Sequence, residues 1–322
     1  MEKFFFFLGQ STDPYFNLAT EEYFLKHKDG CYITVWINSP AVIIGAFQNA
    51  FSEVNLGECE RKNVKIVRRL TGGGAVYHDE NNLCFTVISK KTDGENTFLK
   101  FSRPVVEYLK SLGLPAEFSG RNDILIDGKK ISGNAETFYK DKVMHHGTIL
   151  FKTDMDTLSA VLKPNRFKTE SKGIKSVRSR VANVSDFTDI GFSEFTEGLV
   201  DKLKENAVPY TLTKEDVDGI NALVLSKYST YEWNLAESIK GKNSFAERLS
   251  FGTFEFYFDL KNGRIVNPKI IGDFFALKDV SEFTEKLNGV KFERKSLLSA
   301  FSDIGEYILS GNGEEIVSKL FS

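Results

Sequence analysis

Cysteine is scarce in this chain. Its three thiols, Cys31, Cys59 and Cys84, are odd in number and widely spaced over 322 residues, which argues against a disulfide framework and a thiolate metal site. A reducing cytoplasm is the compartment that such usage fits. None sits where a nucleophile would: Cys31 and Cys84 fall inside apolar strands, and Cys59 lies between two acids that raise a thiol pKa. No serine occupies a nucleophile elbow. An excess of one charge sign is missing too. Lys plus Arg (42) nearly balance Asp plus Glu (44), for a formal net charge of −2. No global pull toward nucleic acid or membrane is therefore expected, and any cationic site has to be local. Long apolar runs are lacking: Phe4 to Leu8, behind Met1-Glu2-Lys3, is too short for a signal peptide or a membrane span, carries no processing site and reads as a first strand. Of four histidines, His145 and His146 are adjacent and point to opposite faces of a strand. With His78 and no third ligand at a familiar spacing, they do not make a metal centre. There is no internal repeat.

What the chain does have is a 41% apolar fraction with 29 phenylalanines, enough for a sizeable core and for one large or two ordinary domains. Its most informative stretch is Arg68-Arg69-Leu70-Thr71-Gly72-Gly73-Gly74-Ala75-Val76-Tyr77-His78. Three successive glycines cost folding entropy and pack nothing, so something has to require them. Bare amides can cradle an anion, and the paired guanidiniums supply charge that no titration near neutrality removes. The spacing is neither a Walker loop nor a dinucleotide fingerprint. Val64 to Arg68 alternates like a strand running into the glycines, and Leu83 to Ile88 leaves them as another. An anion would therefore be held by loop N–H groups and Arg69, not by a helix dipole. His78 is placed either to meet a ligand carbonyl or to make a structural hydrogen bond.

Asp13 and Pro14 read as the N-cap and first residue of a helix through about His27, with Glu21 and Glu22 near its start. Cys31 to Ile37 and Ala41 to Ile44 are β-rich, the second ending in Gly45-Ala46-Phe47-Gln48-Asn49, and Phe98, Phe101, Val105, Leu109 and Leu112 mark a helix over about 97–112. Asn122 to Asn134 is a hairpin around an Asp127-Gly128 type I′ turn. Its register pairs Ile126 with Lys129, Leu125 with Lys130, Ile124 with Ile131 and Asp123 with Ser132. Ile124, Ile126 and Ile131 then share the core face, and Asp123, Lys130 and Ser132 the open one. A turn at Asp141-Lys142 leads to a third strand over 143–150, and a short helix covers about 154–162. The segment Lys163 to Arg180 carries Lys163, Arg166, Lys168, Lys172, Lys175, Arg178 and Arg180 against Glu170. It is either a loop that closes over a polyanion or a solvated surface. Helical patterns follow around 193–205 and 214–225, and polar Ser238 to Asn243 reads as a linker. Beyond it come a hairpin, Phe251–Leu260 and Ile265–Ile271 about Asn262-Gly263, and helices to the end. The expected architecture is α+β: mixed and antiparallel sheets flanked by helices in a domain over 1–243, and a small α+β accessory domain over 244–322.

Lys130 is the expected catalytic group, because a carboxylate and a triphosphate repel each other unless a cation lies between them. Asp123 is suited to orient Lys130, to help hold Mg2+, or only to form a surface pair.

The chain closely resembles the lipoate–protein ligase A family in Asp13 to Glu22, Arg68-Arg69 with Gly72 to His78, and Gly120-Arg121-Asn122-Asp123. The match continues through Lys130-Ile131-Ser132-Gly133, His145-His146-Gly147-Thr148 and Lys172 to Arg180, over roughly residues 10 to 185. The accessory domain of longer members fits about 245–322. The resemblance implies a fold shared with biotin–protein ligases and a cytoplasmic enzyme. It implies two half-reactions: lipoate and MgATP give lipoyl-AMP and pyrophosphate, then a lysine amine of a lipoyl domain of a 2-oxoacid dehydrogenase E2 subunit, or of the glycine-cleavage H protein, takes the lipoyl group. By match, Arg69, Gly74, Ala75, Val76, Tyr77 and Lys130 contact ATP. Lys130, Gly72, Gly73 and His78 serve lipoate, Asn122, Asp123 and Ser132 support them, and Lys172, Arg178 and Arg180 lie in an adenylate-covering loop. Ala46 stands where many relatives carry a basic residue, so that loop is not expected to add a phosphate contact. Two alternatives are an octanoyltransferase working between carrier proteins without ATP, and a non-catalytic lipoate or adenylate binding protein.

Overall fold

A computed structural model describes residues 3–92, 94, 96–119, 122–163, 181–236 and 243–321. Strand β1 (Phe4–Leu8) runs parallel to β2 (Cys31–Ile37), joined by helix α1 (Pro14–His27). The Asp13 carboxylate accepts the Tyr15 N–H, and Pro14 stands in the first turn, where its missing donor is not needed. Glu21 and Glu22 are not near the start, as expected, but mid-helix and buried, where each needs a partner. Strand β3 (Ala41–Ile44) is followed by short helices α2 (Ala50–Glu53) and α3 (Leu56–Arg61), then β4 (Lys65–Arg68) and β5 (Val76–His78). Because β4 pairs parallel and β5 antiparallel with β3, residues 69–75 must cross the end of β3.

The main sheet is built from β1, β2, β6 (Asn82–Lys90), β7 (Ala116–Ser119), β8 (Asp123–Ile126), β9 (Lys129–Tyr139), β10 (Lys142–Leu150) and β11 (Val208–Pro209). Its order among the described residues is β11-β1-β2-β6-β10-β9-β8-β7. Helices α4 (Thr97–Ser111), α5 (Met155–Val161), α6 (Phe192–Leu203) and α7 (Lys214–Leu223) complete this part. Alternation along β6 divides the core. Leu83, Phe85 and Val87 pack with Val105 and Leu109 of α4 and Phe195 and Leu199 of α6, whereas Cys84 and Ile88 pack with Leu18 and Phe24 of α1. Burial on both faces is why β6 reads as an unbroken apolar run.

The β8–β9 hairpin departs from the expected register. Ile126 pairs with Lys129 and Leu125 with Lys130, but Ile124 then pairs with Ser132 and Asp123 with Gly133, through a bulge at Ile131. The extra residue turns Ser132 off the open face into full burial beside Asn134, and puts a glycine opposite Asp123. Ile124, Ile126 and Ile131 remain fully buried.

Strands β12 (Asn243–Leu249), β13 (Gly252–Lys261) and β14 (Arg264–Gly272) form a separate antiparallel sheet, covered by helices α8 (Val280–Lys286), α9 (Arg294–Ala300) and α10 (Gly313–Leu320). Phe251, Phe254, Phe256, Phe274, Phe283 and Phe301 dominate its core. Strand β12 was not expected, since its charges Glu247 and Arg248 mask the alternation; the proposed linker residues before it, up to 242, lie outside the described residues.

Candidate active site

The glycine loop is shaped from within by Arg69. This guanidinium is buried, donating from Nε to Thr71 Oγ1 (2.8 Å), from Nη1 to the Ile43 carbonyl (3.1 Å), and from Nη2 to the carbonyls of Gly72 (2.6 Å) and Gly74 (2.8 Å). Burial pulls its pKa down to about 10, Glu21 opposing, so it stays protonated at neutral pH. In a trans peptide the C=O and the following N–H point in opposite directions. Drawing two carbonyls onto Arg69 therefore turns the Gly73 and Ala75 amides away from the guanidinium. Gly73 adopts φ +89°, and a Cβ on Gly45 would lie 2.1 Å from the Gly73 oxygen, so glycine is required at both positions. Gly74 is exposed, Ala75 and Val76 are half-buried, and the Tyr77 side chain is buried beside Val42 and Ile44. Any ligand contact of Tyr77 must come from its backbone.

The two arginines do not form one cationic patch. Arg68, 1% exposed, donates to the carbonyls of Gly45, Ala46, Gln48, Trp233 and Asn234. It ties the 45–48 loop to residues 233–234 and is structural. The segment that follows β14 also reaches the site: the Gly73 N–H donates to the Phe274 carbonyl (3.1 Å), and a Cβ on Gly72 would lie 2.2 Å from that oxygen. Nothing in the sequence pointed to this contact.

His78 is buried in a chain of amides. Asn17 Nδ2 donates to the Ser11 and Ile37 carbonyls and to Asn38 Oδ1, which leaves Asn38 Nδ2 facing His78 Nδ1 at 3.1 Å. Nδ1 therefore accepts, and the ring proton resides on Nε2. Burial, with His146 and Arg69 nearby, lowers its pKa to about 3. His78 is thus a neutral donor whose Nε2 has no partner among the described residues.

On the β8–β9 hairpin Lys130 Nζ lies 2.7 Å from Asp123 Oδ1, both side chains about a third exposed. The ammonium folds over Gly133, where a Cβ would approach it to 2.9 Å. Gly133 N–H reaches Thr148 Oγ1 (3.5 Å) on β10, two residues from His146, whose Nε2 is 2.8 Å from Thr71 Oγ1 in the glycine loop. Two residues of strand span about 7 Å, so β10 brings Lys130 and the loop to neighbouring positions. Asn122 is occupied by Asn134, donating to its carbonyl (2.8 Å) and accepting from it. Lys172, Arg178, Arg180 and Arg121 lie outside the described residues.

Asp123 Oδ1 is engaged by the Lys130 ammonium, and no group of three or more His, Cys, Asp or Glu suited to a metal occurs among the described residues. His145 and His146 face opposite ways: His145 bonds Glu136 (2.8 Å), and His146 bonds Glu21 (2.9 Å).

Two sheets in one helix-flanked unit, with a glycine loop and a lysine across one strand, are the architecture of a lipoyl-ligase-type catalytic domain. The chain belongs to the lipoyl protein ligase A/B family: the model of that catalytic domain matches residues 13–204, and that of the bacterial lipoate protein ligase C-terminus matches residues 238–320. It is an enzyme of the ligase class. Among its relatives is the lipoate-protein ligase LplJ of Bacillus subtilis, 40% identical over 310 residues, covering 93% of this chain and 94% of the relative. A solved lipoate-protein ligase A bound with ATP is 32% identical, with a TM-score of 0.63 over 74% of this chain and all 100% of that one. A bi-partite lipoate protein ligase of Thermoplasma acidophilum, solved in a study of that ligase and its E2 lipoyl domain, is 34% identical, with a TM-score of 0.64 over 75% of this chain and 98% of that one.

Proposed function

We propose that this enzyme condenses lipoate with ATP, supplied as its magnesium complex, to give lipoyl-AMP. It then passes the lipoyl group to a lysine amine of an E2 lipoyl domain or of the glycine-cleavage H protein, in the cytoplasm. The observation that carries the reading is the placement of the Lys130 ammonium, held by Asp123, across β10 from a loop whose Gly73 and Ala75 amides point away from the Arg69 guanidinium. A lipoate carboxylate oxygen attacks the α-phosphorus, and the bond to pyrophosphate breaks. Lys130 screens the two anions as they meet, and the loop amides hold phosphoryl oxygens. At the Gly73 amide, a phosphoryl oxygen takes the place of the Phe274 carbonyl. Arg69 serves the nucleotide through the loop it folds. In the second step a neutral amine attacks the acyl carbon, the acyl–phosphate bond breaks to release AMP, and the nitrogen gives up one proton to solvent, with Lys130 again beside the carbonyl oxygen. Among the described residues no three-carboxylate cage for magnesium occurs, so phosphate oxygens of ATP would supply most of its ligands, and the ion would neutralise charge on the phosphates. The division into domains at residue 243 belongs to the same reading.

Cysteine chemistry is disfavoured. All three thiols are buried, Cys59 raised to about 11 by burial and Glu58, and Cys84 pushed up by burial and by Glu21. Mass spectrometry of purified lipoyl domain and H protein after incubation tests the proposal. One lipoyl group should appear only when enzyme, ATP and lipoate are all present. Transfer from an octanoyl carrier protein without nucleotide would sink it.

A further inference from the structure

Four residues from three elements, the glycine loop, β10 and α1, form one largely buried chain of polar contacts. Arg69 Nε–H donates to Thr71 Oγ1 (2.8 Å), Thr71 Oγ1 lies in hydrogen-bond contact with His146 Nε2 (2.8 Å), and His146 Nδ1–H donates to both Glu21 oxygens (2.9 and 3.1 Å). A guanidinium only donates and a carboxylate only accepts, so Arg69 is the donor at one end of the chain and Glu21 the acceptor at the other. Thr86 Oγ1 also donates to Glu21 (2.6 Å) and accepts Trp36 Nε1–H (2.9 Å), which anchors the carboxylate to β2 and β6. The order hydroxyl, imidazole, carboxylate is that of a nucleophilic triad. Thr71 is nevertheless fully buried and its oxygen already accepts from Arg69, so the chain acts on the guanidinium and not on a substrate carbonyl.

We propose that Glu21, His146 and Thr71 are positioning residues for nucleotide binding. They fix the plane of the Arg69 guanidinium, and Arg69 in turn fixes the Gly72 and Gly74 carbonyls and hence the direction of the Gly73 and Ala75 amides. Glu21 is also the counter-charge that lets a full positive charge stay buried under the loop. The inference rests on the ligase reading. Its specific content is that a carboxylate on α1 controls the affinity of a loop it does not touch.

The test is lipoate-dependent exchange of pyrophosphate into ATP by the full-length enzyme, with melting temperatures recorded for each variant. Thr71→Val keeps the side-chain shape without the hydroxyl, and Glu21→Gln keeps an acceptor without the charge. Each is expected to raise KM for ATP about 10- to 100-fold with a smaller effect on kcat. The double variant should be no worse than the worse single one, since the residues act as one unit. Thr71→Ser, which keeps the hydroxyl, should restore a KM near that of the parent. A folded Thr71→Val or Glu21→Gln with the parent KM, or a double variant whose effect is the product of the singles, overturns the proposal; if Thr71→Val does not fold, Glu21→Gln decides. If the parent itself shows no exchange, the ligase reading fails, and the relay is judged on ATP affinity of the same variants by calorimetry.

Discussion

Lys130 and Asp123 form a pair about a third exposed, and such pairs contribute at most about 1 kcal/mol to stability. The value of this one lies in where it holds a charge. Lys130→Ala should therefore leave the urea midpoint nearly unchanged while ligation falls by about 10²-fold or more; unchanged turnover would remove Lys130 from the mechanism. Gly45→Ala places a Cβ against the Gly73 oxygen, a backbone atom that cannot yield cheaply, so it should cost both stability and ATP affinity, read by calorimetry. The glycine run was legible because its entropic cost demands a reason. The Thr71–His146–Glu21 contacts were not, because the partners are 75 and 125 residues apart and only the packing of α1 on β10 brings them together. One signal did exist: Glu21 shares a helix face with Leu18 and Leu25, both buried, and a carboxylate in such a stripe needs a partner.

Among the elements, the β8–β9 hairpin shows how far alternation reaches. The Asp127-Gly128 turn sets the first two pairs as expected, but a bulge leaves Ile131 on the core face and so escapes a reading of periodicity. The consequence is functional, because Gly133 and not Ser132 faces Asp123. Gly133→Ala should push the Lys130 ammonium aside while leaving its charge intact. The expected outcome is a lowered kcat in pyrophosphate exchange with little change in melting temperature; a kcat equal to the parent's would show that Lys130 needs no fixed position. Strand β6 is the element on which both faces depend. Phe85→Ala should cost about 3–5 kcal/mol in denaturant unfolding, since Phe85 is fully buried against α4 and α6 residues.

The whole molecule carries an acid liability. Burial lowers the pKa of His78 from 6.5 to about 3 and pushes that of His145 down as well. The unfolded chain therefore takes up protons first as pH falls, and stability declines from about pH 6.5 downward, by up to about 1.4 kcal/mol per pH unit for each such group. His78→Gln should flatten this slope in urea titrations between pH 6.5 and 4; an unaltered slope would mean that His78 is not held neutral. At the same scale, the seating of the Phe274 carbonyl on the Gly73 amide was invisible beforehand, because a backbone-to-backbone contact leaves no mark on residue type. Most strands and helices were readable from period and turn chemistry, whereas the way the segment after β14 meets the glycine loop was not. The central claim is that Lys130 and the loop amides let lipoate and ATP condense before any acceptor arrives. Pyrophosphate exchange without acceptor protein measures that directly. It should proceed only with lipoate and drop about 10²-fold or more in Lys130→Ala, whereas exchange that needs the acceptor, or survives loss of the lysine, would contradict the account.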